Sequence, residues 1–437
     1  MNILMVTNLY TPNVGGVTRS IMHFTEEYRK RGHRVIVVAP HFENEPEGEE
    51  DVIRVPAIEN FNNTDFSVAF PVPGFLLTKL KEDFVPDIIH AHHPFLLGSA
   101  AVRLATYFDA PLVYTYHTMY EYYTHYTPVE SERLQQFAIK LAVGYCNLCD
   151  RVIAPSESVK RILRDRGVVS QIEAVPTGVY VEEFSEGDGK GFREEQDIPE
   201  YAFLMGHLGR LEPEKNLGFL SEAVSRFMEK NEKAHFVVIG NGTSRDEMAE
   251  HFEKKGLRDR LHLGGIMKGQ QLVDAYHAMD VFVFASQSET QGMVLTEAMA
   301  TGTPVVAVDA VGAREVVKDT ENGRLLPEED AEAFADALEW IQNRDDEEIE
   351  FIRKNCRQTA QKFSMENSVN RLIEIYEQAK EESAKDKPES DTSWHWAMDQ
   401  LQTEWDLLKN AVKSAWYTFE TPTEEMLETE RQHGKKV

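Results

Sequence analysis

Short runs of apolar residues alternate along the chain with longer stretches whose apolar positions recur every three or four residues. In the first half, residues 2–7, 34–39, 87–90, 112–116, 151–154 and 171–175 read as buried strands. Residues 17–31, 98–108, 131–148 and 157–166 read as the helices between them. Continuous apolar strands separated by amphipathic helices predict a parallel sheet covered on both faces. Residues 176–200 are acidic and carry Gly187, Gly189 and Gly191, so they read as a linker. The alternation then restarts. Residues 202–208, 235–240, 261–263, 281–285, 304–308 and 324–326 are the next strands, with helices over 217–229 and 244–255 and three more over 331–342, 347–361 and 365–380.

The pattern therefore predicts an α/β protein made of two Rossmann-like, doubly wound parallel-sheet domains, with ligand expected in a cleft at the carboxyl ends of both sheets. The expected divisions are a first domain over 1–178, a linker over 179–200, a second domain over 201–364, a terminal helix over 365–380 and a tail over 381–437. In the tail, Trp394, Met398, Leu401, Trp405, Leu408, Val412, Ala415 and Phe419 recur at spacings of three and four, which is one apolar face of a helix. The polar residues beside that face include Asp399, Glu404 and Asp406 as well as Lys409 and Lys413, and anionic lipid prefers a basic face. The tail is thus expected to dock on the protein itself or to form a homo-oligomer.

Composition narrows the class. Of the 437 residues, 42% are hydrophobic and 27% charged, a balance that suits globular cores. Asp and Glu outnumber Lys and Arg by 74 to 46, for a net charge of −28, which argues against a nucleic-acid partner. The three cysteines cannot form a disulfide framework for a chain of this size, and the Cys146-x-x-Cys149 pair lacks the second ligand pair that a zinc site needs. The start, MNILMVTN, has no basic leader, and no apolar run approaches the roughly 18 residues of a membrane span. A cytoplasmic protein is expected.

Several loops carry candidate chemistry. The first strand runs into Gly15 and Gly16 ahead of a helix, where a backbone can approach an anion closely. The strand over 202–208 ends in GRLEPEKN, whose Arg210 and Lys215 suit a diphosphate leaving group. The strand over 281–285 leads to Glu289, then Gln291, Gly292, Met293 and Val294 at a helix start, then Glu297 within that helix. Carboxylates there suit sugar and ribose hydroxyls, and helix-start amides suit phosphate.

Together GGV near the start, GRLEPEKN and ETQGMVLTEAMATGTPVVA resemble the retaining glycosyltransferases of the glycogen-synthase-like, group 1 type, whose two-domain architecture is called GT-B. The resemblance runs in order along nearly all of residues 1–380. It implies a first domain that binds the acceptor and a second that binds a nucleotide diphosphate sugar. Arg210 and Lys215 match the residues on the donor diphosphate, Glu289 the one on the transferred sugar, and Glu297 the one on the ribose. The amides of 291–294 match the loop on sugar and phosphate, and Gly16, beside Gly15, matches a glycine near the donor phosphates. No Asp-x-Asp occurs, which agrees with a transferase that needs no metal and no cofactor.

Within the first domain, HAHHPFLLG over 90–98 and YTYHTMYEYYTHY over 114–126 look like the branch that glucosylates diacylglycerol in bacterial membranes. His117 matches that family's histidine near the transferred sugar. Residues 131–168 gather Arg133, Lys140, Arg151, Lys160, Arg161, Arg164 and Arg166 against Glu132, Asp150, Glu157 and Asp165. Contact with an anionic membrane through this stretch, on the inner face of the cell membrane, is therefore expected. The expected activity is transfer of a hexose, glucose from a UDP-linked donor, with retention, to a hydroxyl of a lipid acceptor such as diacylglycerol. The alternatives are a mannosyl or other glycosyl transferase acting on a phosphoinositide or polysaccharide, or a sugar-nucleotide epimerase of similar architecture.

Overall fold

The computed structural model describes residues 1–13, 15–58, 67–69, 73–80, 84–121, 132–385 and 402. The chain divides into two compact units, one of Met1–Val175 together with the chain from Val369, the other of Pro176–Ser368. Each carries a parallel sheet.

The first unit contains β1 (Asn2–Val6), α1 (Gly16–Lys30), β2 (Arg34–Pro40), β3 (Val52–Val55), β4 (Ala57–Ile58), β5 (Val68–Ala69), α2 (Pro73–Lys79), β6 (Ile88–Ala91), α3 (Leu97–Phe108), β7 (Leu112–Thr115), α4 (Glu132–Cys146), β8 (Arg151–Ala154), α5 (Glu157–Asp165) and β9 (Gln171–Ala174). The sheet order is β3-β2-β1-β6-β7-β8-β9, with every neighbour parallel. In the central β1, Ile3, Leu4, Met5 and Val6 are fully buried, as expected of a strand covered on both faces. The order reverses between β1 and β6, and the carboxyl end of that junction is where open α/β sheets bind ligands.

Three strands were not expected. β3 carries Arg54 within VIRV, and β4 and β5 form a two-residue antiparallel pair, too short for a periodic signal.

The second unit contains α6 (Gly189–Glu195), β10 (Phe203–Leu208), α7 (Leu217–Lys230), β11 (Ala234–Ile239), α8 (Arg245–Lys254), β12 (Leu261–Gly265), α9 (Gln270–Ala278), β13 (Val281–Phe284), α10 (Met293–Thr301), β14 (Val305–Val308), α11 (Ala313–Val316), β15 (Gly323–Leu326), α12 (Ala331–Gln342) and α13 (Asp346–Lys362). Its sheet, β12-β11-β10-β13-β14-β15, is also parallel and reverses between β10 and β13.

The stretch expected as a linker is folded here. Phe184, Phe192 and Ile198 join the core of the second unit, and Asp188 caps α6 by accepting from the Gly191 amide. A Cβ at Gly187 or Gly189 would fall 2.4 or 2.5 Å from atoms of His277 on α9. Those glycines give close packing rather than a hinge.

The last helix, α14 (Met365–Lys385), runs past the expected end at 380. Val369, Leu372, Ile375, Tyr376 and Ala379 are buried at helical spacing, which is the stripe a docked helix needs. Within the first unit Arg371 pairs with Glu173 at 3.2 Å, Lys380 with Asp87, and Glu382 with Arg151. The tail stripe from Trp394 to Phe419 lies outside the described residues, as do Tyr122, Tyr123, Thr124, His125 and Tyr126.

Cys146, Cys149 and Cys356 are free thiols in the core, and burial raises the pKa of each. Among the described residues no helix is long and apolar enough to cross a membrane, and no cluster of three or more metal-ligating side chains occurs.

Candidate active site

In the second unit, the loops after β10 and β13 leave the sheet at its reversal point. The loop after β10 brings Lys215 to Glu289, which follows β13, and the ammonium and carboxylate form an ion pair. The Lys215 side chain is only 10% exposed and that of Glu289 30%, so the cation is the more desolvated partner. Arg210 is half-exposed and held by Glu214 at 2.7 Å. The hydroxyls of Ser286 and Ser288 donate to the Glu214 carbonyl at 3.4 and 3.1 Å, tying the two loops together.

Gln291 was expected among the donor-binding residues, and its side chain is engaged with the protein. Its Nε2 donates to the Thr177 carbonyl at 2.6 Å, and its Oε1 accepts from the Thr177 amide at 2.7 Å. Gly292 precedes α10 at φ +76°, a left-handed conformation that side chains resist. Met293 and Val294 form the first turn, whose amides lack intrahelical acceptors. A Cβ at Gly312 would fall 2.9–3.0 Å from Gln291, Glu289 and Gly292, so only glycine lets that backbone brace the loop. Glu297, one turn further along, is 2% exposed and accepts from Tyr276 Oη at 2.9 Å.

Sequence reasoning missed His207, on β10. Its Nδ1 lies 3.1 Å from the Val283 carbonyl, and burial lowers its pKa to about 4, with Lys215 lowering it further against that hydrogen bond and Glu289. It is a neutral wall behind the ion pair. A buried histidine within an apolar strand carries no signal that separates it from core.

In the first unit, Gly15 and Gly16 open α1 without a side-chain cap, and among the described residues nothing beyond the flanking residues and the helix's own backbone lies within 4 Å of a Cβ built on Gly16. The preceding loop is tied down by Arg54, which donates to the Thr11 carbonyl at 2.8 Å and pairs with Glu49 at 2.6 Å. The Arg54 guanidinium also lies over the Tyr10 ring. The Asn8 amide donates to His93 Nδ1 at 3.1 Å, which joins this loop to the turn after β6.

His117, after β7, lies with its Nε2 2.8 Å from His92 Nδ1. His90, His92 and His93 are buried, and His117 is partly so. Burial lowers His90, His93 and His117 to about 3 and holds His92 well below its ordinary value. All four are neutral at pH 7.

The linkage has a definite sign. A histidine whose folded pKa is depressed contributes stability that is fully present above its unfolded pKa of about 6.5 and is lost as pH falls toward the folded value. The unfolding free energy should therefore fall from pH 6.5 to 5. Replacing His90 by Gln should flatten that slope by about half a proton at pH 6.5 and nearly one proton, about 1.4 kcal/mol per pH unit, at pH 5. Urea unfolding at several pH values reads this directly, and an unchanged slope would contradict a neutral His90.

Of the basic cluster expected at the membrane, Arg151 is buried against Glu382, and Arg166 is paired with Glu121. Those two face partners within the protein. Lys140, Arg161 and Arg164 are exposed, and Lys160 is half-buried near Glu157. The Arg133 side chain lies outside the described residues. Tyr145, on α4 in the same stretch, is core, and its hydroxyl donates to the Gly98 carbonyl at 2.9 Å.

Residues 14–183 match the family described as Glycosyltransferase Family 4, and residues 190–363 match Glycosyl transferases group 1. The chain is a group 1 glycosyltransferase with the GT-B fold. It is 29% identical over 333 residues to the alpha-monoglucosyldiacylglycerol synthase of Streptococcus pneumoniae, covering 74% of this chain and 75% of that one. It is 27% identical over 337 residues to a GDP-mannose-dependent alpha-mannosyltransferase of Mycobacterium tuberculosis, covering 75% and 84%. Among solved structures, Anabaena HepE in complex with UDP superposes with a TM-score of 0.69 at 20% identity, covering 86% of this chain and all of that one. In this glycosyltransferase the residues expected to bind the donor, Arg210, Lys215, Glu289, Gln291–Val294 and Glu297, lie on the elements that follow β10 and β13 at one sheet reversal, and Gly15, Gly16 and His117 follow strands at or beside the other.

Proposed function

We propose that this glycosyltransferase moves glucose from UDP-glucose to a hydroxyl of diacylglycerol, with retention and without a metal ion. The observation that carries the reading is the synthase relative, which spans three quarters of both chains. An α-linked product from an α-linked sugar nucleotide is retention.

The chemistry needs positive charge where the diphosphate departs, and Lys215, Arg210 and the first-turn amides of α10 supply it. Glu289 exchanges its ammonium partner for a sugar hydroxyl, and Glu297 takes the ribose. Gly15 and Gly16 leave room for donor phosphate, and His117 positions the sugar. The acceptor hydroxyl attacks from the face the diphosphate leaves, and the leaving phosphate oxygen takes its proton. Lys140, Lys160, Arg161 and Arg164 provide the electrostatic attraction to an anionic surface that a lipid acceptor requires.

The second reading, mannose from a GDP-linked donor, is favoured by the mannosyltransferase relative. The test is incubation of the purified chain with labelled UDP-glucose or GDP-mannose and diacylglycerol in anionic vesicles, with and without EDTA. Labelled α-glucosyldiacylglycerol formed equally with EDTA is the expected result. Transfer from GDP-mannose alone, a β-linked product, or complete loss in EDTA that magnesium restores would overturn the corresponding part.

A further inference from the structure

The histidines of the first unit form a stack whose hydrogen bonds decide one proton. The His92 ring lies 4.3 Å from that of His90 and 5.1 Å from that of His117, both stacked. His90 is fully engaged elsewhere. Tyr28 donates to the Tyr376 hydroxyl at 3.2 Å, Tyr376 donates to His90 Nδ1, and His90 Nε2 therefore carries its proton to Thr115 Oγ1 at 2.7 Å. His92 Nδ1 faces His117 Nε2 at 2.8 Å. His92 is 1% exposed, and its Nε2 meets no hydrogen-bond partner among the described residues.

The bond between His92 and His117 holds one proton, and it can run two ways. If His117 donates, His92 must carry its own proton on the buried Nε2, where no acceptor waits. If His92 donates from Nδ1, only a lone pair is left at that buried position. An orphaned buried N–H is the rarer and costlier of the two.

We infer that His92 is a positioning residue that donates from Nδ1 to His117 Nε2 and so fixes the His117 proton on Nδ1. His117 is then a neutral hydrogen-bond donor. Its one lone pair is engaged by His92, so it has none with which to act as a base. Imidazole tautomers are set by the bond the other nitrogen makes, and here that bond comes from a second histidine held flat by a third. The inference rests on the proposed placement of His117 beside the transferred sugar, where an Nδ1–H would be offered to a sugar oxygen.

The test uses two variants of the full chain. His92→Asn keeps an N–H donor at the position of Nδ1, whereas His92→Leu removes it. In 15N-histidine spectra at pH 7.5, His117 should show a protonated Nδ1 and a bare Nε2 in the native chain and in His92→Asn, and a mixture in His92→Leu. Turnover of His92→Leu should fall about tenfold or more, the scale of losing a partner that orients an imidazole. The KM for UDP-glucose should stay within about threefold, and His92→Asn should recover most of the loss. Equal loss in both variants would indicate a packing role and overturn the inference, as would a protonated Nε2 on native His117. A tautomer shift in His92→Leu with full turnover both there and in His117→Ala would support the tautomer assignment and overturn the placement of His117 beside the sugar.

Discussion

Lys215→Ala should lower turnover by about 100-fold or more, the scale on which losing one preorganised stabiliser of developing charge is felt. The ammonium stands after β10 at the sheet reversal, largely desolvated, and pairs with Glu289. A charge so placed interacts more strongly with a departing diphosphate than one in open water. The same substitution should cost little stability. The Glu289 side chain is 30% exposed and can hydrate once its partner is gone, so the penalty for a buried unpaired charge applies only in part. Arg210 reports the contrast, because it is 49% exposed and already shares its charge with Glu214. Arg210→Ala should therefore act more weakly than Lys215→Ala. Steady-state rates with UDP-glucose, beside thermal unfolding of the same preparations, check both statements. Full turnover in Lys215→Ala would remove Lys215 from the leaving-group role.

The strands of both sheets were legible because a strand buried on both faces must be continuously apolar, as NILMV and VFVF are. Their order was not legible, since it depends on contacts far apart in sequence. The pairing of Lys215 with Glu289 spans 74 residues, and that of His90 with Tyr376 spans 286. Charge was the most misleading signal. Arg151 and Arg166 read as part of a basic surface, yet each has a carboxylate partner, and Arg151 is buried. A sequence shows that a cation is present and not what faces it. The glycines of 187–191 misled in the same way, because a residue chosen for close approach to His277 has the composition of a flexible linker. Arg54 and His207 gave no signal at all. Each takes its meaning from a loop held by another element, Arg54 beside Thr11 and His207 behind Lys215. Gln291 was expected among the donor-binding residues, but its side chain braces Thr177 and is taken up within the protein.

Glu289→Gln and Glu297→Gln should fail in different ways. Glu289→Gln keeps size and hydrogen bonding but removes the charge opposite Lys215. Turnover should drop by roughly 10- to 100-fold, because the carboxylate interacts with a sugar that gains positive character as the diphosphate leaves. UDP affinity should stay level or tighten, since Lys215 no longer has a competing anion. Glu297 lies inside α10, 2% exposed, with Tyr276 donating to it. Truncation to alanine would remove the Tyr276 acceptor and open space in the core, costing about 2–4 kcal/mol of stability and confusing binding with unfolding. Glu297→Gln keeps the acceptor for Tyr276 and weakens only the charge-assisted part of the ribose contact. It should lower UDP affinity by about tenfold, the difference between a charged and a neutral hydrogen bond. Turnover at saturating donor should stay nearly unchanged. Calorimetric titration with UDP and saturation kinetics with UDP-glucose separate the two quantities. If both variants lose affinity alike, or both lose turnover alike, the two glutamates do not divide sugar and ribose between them.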